Sequence, residues 1–365
     1  MNEQTAHLAG QQNMPIDQFR KTPGPRAAFA FRRLRSASCF VLALMFCVES
    51  ICADEVSRLP LVTDDRVVVR SEGGYREKTI SCVIEDIAGQ KIIVRRTGST
   101  VNVIRLQDIV SVQFRKSEEF NEGLKKLREH DWKKALTSLQ SAVTTENRNW
   151  ARREINAHLA QAYRALGEFE GCLATVEKIV HDDPDTRHVV ELPLVWDERL
   201  PAENRIQLAA ADLKSPSEVR RLTAASALLH DSSQEAAAVA VLKDLEKSAT
   251  GVRLELVRAQ LWRLRLLHPD QLREAEVSSW SQTVRQLDRR ARSGPEFIIG
   301  RALLATHDYD NAATSLLWMP LLEPLDPPTT NASLQEAITA LELSGRQSEA
   351  DKLRREYHPT GEADK

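Results

Sequence analysis

Glycine (14 residues), proline (15) and aromatic side chains (5%) are scarce in this 365-residue chain. Few breakers exclude a collagen-like or low-complexity polymer, and the Ala, Leu, Glu and Arg that take their place favour helices over strands. Net charge is lacking as well: 50 Lys and Arg against 52 Asp and Glu leave a formal −2, so nothing points to a polyanion as partner. No apolar run approaches the roughly 20 residues that a membrane-spanning helix needs. Catalytic signatures are also missing. The chain has no HExxH, no GxxxxGK(S/T), no GxGxxG and no GxSxG, so metalloprotease, nucleotide, dinucleotide and hydrolase readings lack their usual supports. The expectation is a protein without enzymatic activity, cofactor or metal.

The N-terminus sets the compartment. Phe31 to Arg35, with three arginines, precedes the apolar run Cys39 to Val48, followed by Ser50 to Ala53 and an acidic start at Asp54. This order predicts a secretory signal peptide over 32–53, cleaved after Ala53, with residues 1–31 a polar extension. The expected localisation is beyond the cytoplasmic membrane, in the periplasm or cell envelope. Lipid attachment at Cys52 and an uncleaved anchor are the alternatives. Loss of residues 1–53 leaves 44 basic (50 less 6) and 49 acidic (52 less 3) residues, a formal charge of about −5. Of five cysteines, Cys82 and Cys172 then remain. Cys82 is in strand phase with Ile80 and Ile84, and both cysteines read as buried small residues rather than as a disulfide.

Residues 58–115 carry β-branched runs at 66–70, 79–85, 91–95, 101–104 and 109–114, separated by Gly73-Gly74, Gly89 and Gly98. Five short strands follow from this, and closing them into a small barrel is the economical way to bury one face and protect the edges. The order of strands and glycine turns resembles SH3-like and Sm-like barrels. That resemblance implies RNA or cell-wall peptide as ligand, yet no stacking aromatic or arginine cluster can be assigned to it. Arg95 and Arg96 read as a solvated strand end.

From Lys116 onward the period is helical. Gly123, Trp132, Ala135 and Leu139 recur with the same spacing as Gly300, Tyr309, Ala312 and Leu316, a pattern for two short helices packed as a hairpin. Leu159, Ala160, Tyr163, Gly167, Phe169, Cys172 and Pro184 form a further unit, which resembles the tetratricopeptide repeat most closely. The fold class expected is mainly α, a tetratricopeptide-like α-superhelix of antiparallel hairpins preceded by a small five-stranded β-barrel. Two units are placed at 116–190, a loop burying Trp196 at 191–204, degenerate helical repeats at 205–292, C-terminal units at 293–358 and a tail at 359–365. Ser215 with Glu218 and Ser232 with Glu235 read as capping boxes that start helices. His181, Asp182, Asp183, Asp185 and His188 cluster, but a solvated acidic loop is preferred to a metal site.

In the tetratricopeptide family the first helices of successive units line a concave groove that binds peptide segments or partner helices. Position by position, this resemblance places Asn121, Leu124 and Arg128, then His158, Gln161 and Arg164, then Arg301 on the groove, with the three arginines available to partner carboxylates. The function expected is an exported interaction scaffold that docks protein partners of the cell envelope. The alternative is an envelope module whose SH3-like barrel binds peptidoglycan while the helices serve as platform. Neither reading involves nucleic acid, and the membrane enters only through an uncleaved signal segment.

Overall fold

The computed structural model describes residues 65–70, 76–96, 100–199 and 209–357. The expected extension at 1–31, signal peptide at 32–53 and tail at 359–365 lie outside the described residues, as does part of the loop near 200–208. Strands β1 (Asp65–Arg70), β2 (Glu77–Ala88), β3 (Lys91–Arg95), β4 (Val101–Arg105) and β5 (Ile109–Gln113) form one antiparallel sheet in the order β4-β3-β2-β1-β5. The first half of β2 pairs with β1, with Ile80 opposite Val67, and its second half pairs with β3, with Ile87 opposite Ile92. A register shift between Ile84 and Asp86 moves the buried phase from Ile80, Cys82 and Ile84 to Ile87. The strand expected at 79–85 therefore runs on to Ala88. Among the described residues β4 and β5 share no ladder and form the two edges.

The rest is helical: α1 (Glu118–Arg128), α2 (Trp132–Thr145), α3 (Asn149–Ala165), α4 (Phe169–Asp182), α5 (Glu218–Leu228), α6 (Glu235–Ser248), α7 (Gly251–Arg265), α8 (Glu274–Val284), α9 (Ser293–Ala305), α10 (Tyr309–Leu321), α11 (Pro327–Leu343) and α12 (Gln347–Glu356). One turn geometry joins α1 to α2, α3 to α4, α9 to α10 and α11 to α12. Each turn has a left-handed residue, His130 (φ 57°), Gly167 (74°), His307 (64°) or Gly345 (79°). The amide after it donates to the carbonyl five residues back, at 2.9, 2.9, 2.9 and 2.8 Å, as in a Schellman cap. Seven residues before the turn in two of these hairpins, a Cβ added to Gly123 or Gly300 would meet Leu139 at 2.7 Å or Leu316 at 2.5 Å, so only glycine lets these helices approach so closely. Five residues after the turn, Ala135, Cys172, Ala312 and Ala350 are fully buried. The two histidines at left-handed positions lay their rings edge-on to Trp132 and Tyr309.

Two expectations in the middle of the chain are corrected. The N-cap of α5 is Ser217, whose hydroxyl accepts from the Arg220 amide, while Ser215 accepts from the Ser217 amide one step earlier. At α6 the N-cap is Gln234, with no side-chain cap bond, and the Asp231 carboxylate accepts the amides of Ser233 and Gln234 in the turn that precedes the helix. On α7 the most deeply buried face carries Leu256, Val257, Ala259, Gln260 and Arg263.

The sheet is fastened to α3 and α4. Trp150 of α3 enters the sheet's core, its Nε1–H donating to the Ile84 carbonyl at 3.1 Å and its ring meeting Phe114 edge-on at 4.8 Å. Buried Arg153 donates to the Ile87 carbonyl and to Asp86, and the Gly89 amide donates to both carboxylate oxygens of Asp183 at 3.1 and 2.9 Å. No helix among the described residues is long and apolar enough to cross a membrane.

Candidate partner-binding groove

Asn121, Leu124 and Arg128 lie three and four residues apart on α1 and so share one helical face. Asn121 and Arg128 are exposed and Leu124 is half-buried beside Phe120. Arg128 has no ion-pair partner among the described residues. On α3, His158 packs its ring 5.9 Å from that of Phe120, with Gln161 close by. Burial and the nearby Arg290 guanidinium hold the His158 imidazole below its ordinary pKa, so it is neutral at pH 7. Of these five, His158 and Gln161 meet on α3, and α1 reaches them through Phe120.

Arg164 and Arg301 are not available as expected. The segment after α4 turns through a short 3-10 helix (Arg187–Glu191) and continues, without regular structure, through Leu192 to Arg199. It runs between the helices, and the two arginines close on it. Arg164, itself buried, pairs with Glu191 at 3.1 Å. Arg301 donates to both oxygens of Glu198 at 2.9 and 2.8 Å, a fork-on-fork geometry. Spacing on a helix sets the face a residue shares, not what the rest of the chain places opposite it, and here the chain supplies its own carboxylates.

The segment is held by backbone and packing as well. The Val195 amide donates to the Ser226 hydroxyl of α5 at 2.8 Å, and that hydroxyl donates to Gln260 Oε1 at 2.8 Å. Arg263, only 1% exposed, donates to the Ser226 carbonyl and to Gln260 Oε1. Trp196 is 5% exposed and lies so close to Gly294 of α9 that an added Cβ would overlap its ring. Leu192, Leu194 and Trp196 join the main apolar cluster with residues of α4 to α7 and α9 to α12.

Charge is balanced within this cluster. Arg199 pairs with Asp197 at 2.6 Å and with Glu336 of α11 at 2.5 Å, and Arg301 also approaches Glu336 at 3.6 Å. Burial raises the Glu198 carboxyl, but the hydrogen bonds and charge of Arg301 outweigh it and hold the pKa at about 2. Burial pushes Arg263 down to about 10, a value still far above neutrality. Earlier in the segment, Glu154 of α3 pairs with Arg187 at 2.6 Å and with His188 at 3.1 Å. Despite its burial, these two neighbours hold its carboxyl well below the ordinary carboxylate range.

The remaining chemistry-bearing residues are dispersed. Asp183 is used at the sheet and His188 at Glu154, so the cluster from His181 to His188 does not converge. No group of three or more His, Cys, Asp or Glu among the described residues is placed to hold a metal. Cys82 and Cys172 are free and buried; burial pushes the Cys172 thiol up to about 12. A cavity of about 420 Å³ lies between the β2–β3 turn, the end of α4 and the start of α7, bordered by Lys91, Asp185 and Arg253. Three buried residues that hold the segment, or one another beneath it, escaped the sequence reading: Ser226, Gln260 and Arg263. The signal that could have found them is a polar residue and an arginine, three apart, on the apolar face of α7. No protein family matches the chain, and a search of curated proteins likewise finds no match.

Proposed function

We propose that the chain is an exported, non-enzymatic scaffold that docks partner proteins of the cell envelope along a tetratricopeptide-like superhelix. The observation that carries this reading is the segment Leu192 to Arg199: side chains of α5, α9 and α11 hold an extended stretch of chain through backbone hydrogen bonds, an apolar slot and ion pairs. The same means hold peptide ligands in helical grooves. Because this stretch is the protein's own, the docking surface left for a partner is the α1–α3 end, with Asn121, Leu124, Arg128, His158 and Gln161. Arg164, Arg187, Arg199 and Arg301 are tied into structural ion pairs, which supports a binding role over a catalytic one.

The test is site-specific photo-cross-linking. Leu124→benzoylphenylalanine in the native envelope is expected to capture a discrete protein that the same residue at exposed Leu343, the last residue of α11, does not. Equal capture at both positions would reject the groove. A second reading has one observation in its favour: β4 is an edge with Val101 and Val103 exposed, as a barrel-borne ligand site would require. If that envelope module binds peptidoglycan, Val103→Glu will abolish co-sedimentation of the full chain with purified cell wall, and Leu124→Glu will not.

A further inference from the structure

The cavity of about 420 Å³ lies where the β2–β3 turn, the residues that follow α4 and the start of α7 meet. Its walls carry charges of opposite sign. Asp185 stands beyond the C-terminal end of α4, Arg253 in the first turn of α7 and Lys91 at the start of β3. The same lining is apolar at Val180, Val189 and Val252. We propose that this cavity binds a small zwitterion with an apolar side chain, a free amino acid or a short peptide, its ammonium on Asp185 and its carboxylate on Arg253 and Lys91.

Where a partner protein docks has no bearing on this cavity. Its walls are held in place by the rest of the chain. The Gly89 amide donates to both oxygens of Asp183 at 3.1 and 2.9 Å, and a Cβ built on Gly89 would lie 3.4 Å from that of Asp185, so the turn and the end of α4 are in contact. Arg253, its side chain 17% exposed, is 3.2 Å from Glu218 of α5, while its Nε–H meets no acceptor among the described residues. Charge pairing within the cavity is incomplete. Asp183 is satisfied by the turn amide, but the exposed Lys91 and Asp185 pair neither with each other nor with another ion among the described residues. A cation and an anion left unmet in one cavity select a ligand that carries both charges. A plain anion would face Asp185, and a plain cation would face Lys91 and Arg253. The helix ends add to the same polarity: the carbonyl end of α4 is negative on the Asp185 side and the amide end of α7 is positive on the Arg253 side. The volume lies within the about 300–1,000 Å³ of small-ligand sites, and the three valines give an apolar side chain its contact.

The experiment is isothermal titration calorimetry of the full chain with leucine and with leucyl-leucine, each beside its N-acetyl form, which lacks the ammonium, and its amide, which lacks the carboxylate. The tighter of the two free ligands is expected to bind at least about tenfold more tightly than either of its blocked forms. Asp185→Asn should weaken that free ligand about fivefold or more and leave its N-acetyl form within about twofold. Lys91→Gln should weaken the free ligand likewise and leave its amide within about twofold, while Lys133→Gln on α2 changes neither. Such selectivity cannot come from misfolding, which would weaken all forms alike, and both cavity residues are exposed, so the unfolding midpoint will stay in place. Tighter binding of leucine upholds the site with a free amino acid as its ligand, and tighter binding of leucyl-leucine upholds it with a short peptide. Equal affinity of free and blocked forms, affinity unmoved by Asp185→Asn and Lys91→Gln, or no binding overturns the proposal.

Discussion

Gly294 is the residue at which the threaded segment can be tested against the helix that carries it. Position 294 lies in the first turn of α9, where replacing glycine by alanine ordinarily stabilises by about 0.5–1 kcal/mol. Here the added Cβ would fall well within 3.0 Å of three Trp196 ring atoms, and neither the indole nor the helix backbone can yield cheaply in a packed core. Overpacking of this kind costs about 1–3 kcal/mol. Gly294→Ala should therefore destabilise by about 1–2 kcal/mol despite its favourable propensity. Trp196→Ala should cost about 3–5 kcal/mol through the lost burial and the cavity. In that background the obstruction is gone, so Gly294→Ala should stabilise by about 0.5–1 kcal/mol. The effect of one substitution thus changes sign with the other, a coupling of about 2 kcal/mol. Urea unfolding of the four proteins, followed by circular dichroism at constant m, measures it. Gly294→Ala with the same effect in both backgrounds would refute the placement of Trp196 against α9.

Other outcomes follow from the same geometry. Gly167→Ala should cost about 1–2 kcal/mol although its Cβ would meet nothing within 4 Å, because the cost is the left-handed backbone itself; Gly167→Asn should cost less, as thermal unfolding will show. The Glu198 carboxyl has its folded pKa lowered to about 2, so its contribution is present above the ordinary carboxylate range and lost as pH falls through about 4.5 towards 2. Glu198→Gln should flatten the acid limb of the stability profile in that window, measured by urea midpoints at each pH. Cys82 and Cys172 should resist a thiol reagent at pH 8 in the folded chain and react on unfolding, with peptide mass spectrometry identifying each site.

Much of the local structure was legible because it depends on short spacings. Gly123 and Leu139, or His130 and Asp131, lie within one hairpin, and the pattern that makes helices cross is written in residues sixteen or fewer apart. The β-branched runs likewise located the strands, apart from the bulge that extends β2. Trp196 announced its burial, as a large apolar ring between prolines. The groove was less legible for a physical reason. An arginine on a helical face reads as free until its partner is known, and the partners of Arg164 and Arg301 come from a segment without periodicity. Glu198 lies 103 residues from Arg301, too far apart for any local spacing to join them. Arg128 meets no carboxylate among the described residues.

The fastening of the sheet to α3 and α4 also orders the chain in time. β1 to β5 leave the ribosome first, but Trp150, which completes their core, follows Gln113 by 37 residues, and Asp183 pins the β2–β3 turn from 94 residues beyond Gly89. Closing such distant contacts requires the intervening chain to be ordered, so the sheet can finish folding only after α3 and α4 have formed. Until then its apolar face and its β4 edge are exposed together, the stage at which a nascent chain is most prone to pair with another. Residues 65–113 thus have a core that is complete only with a side chain the helices supply.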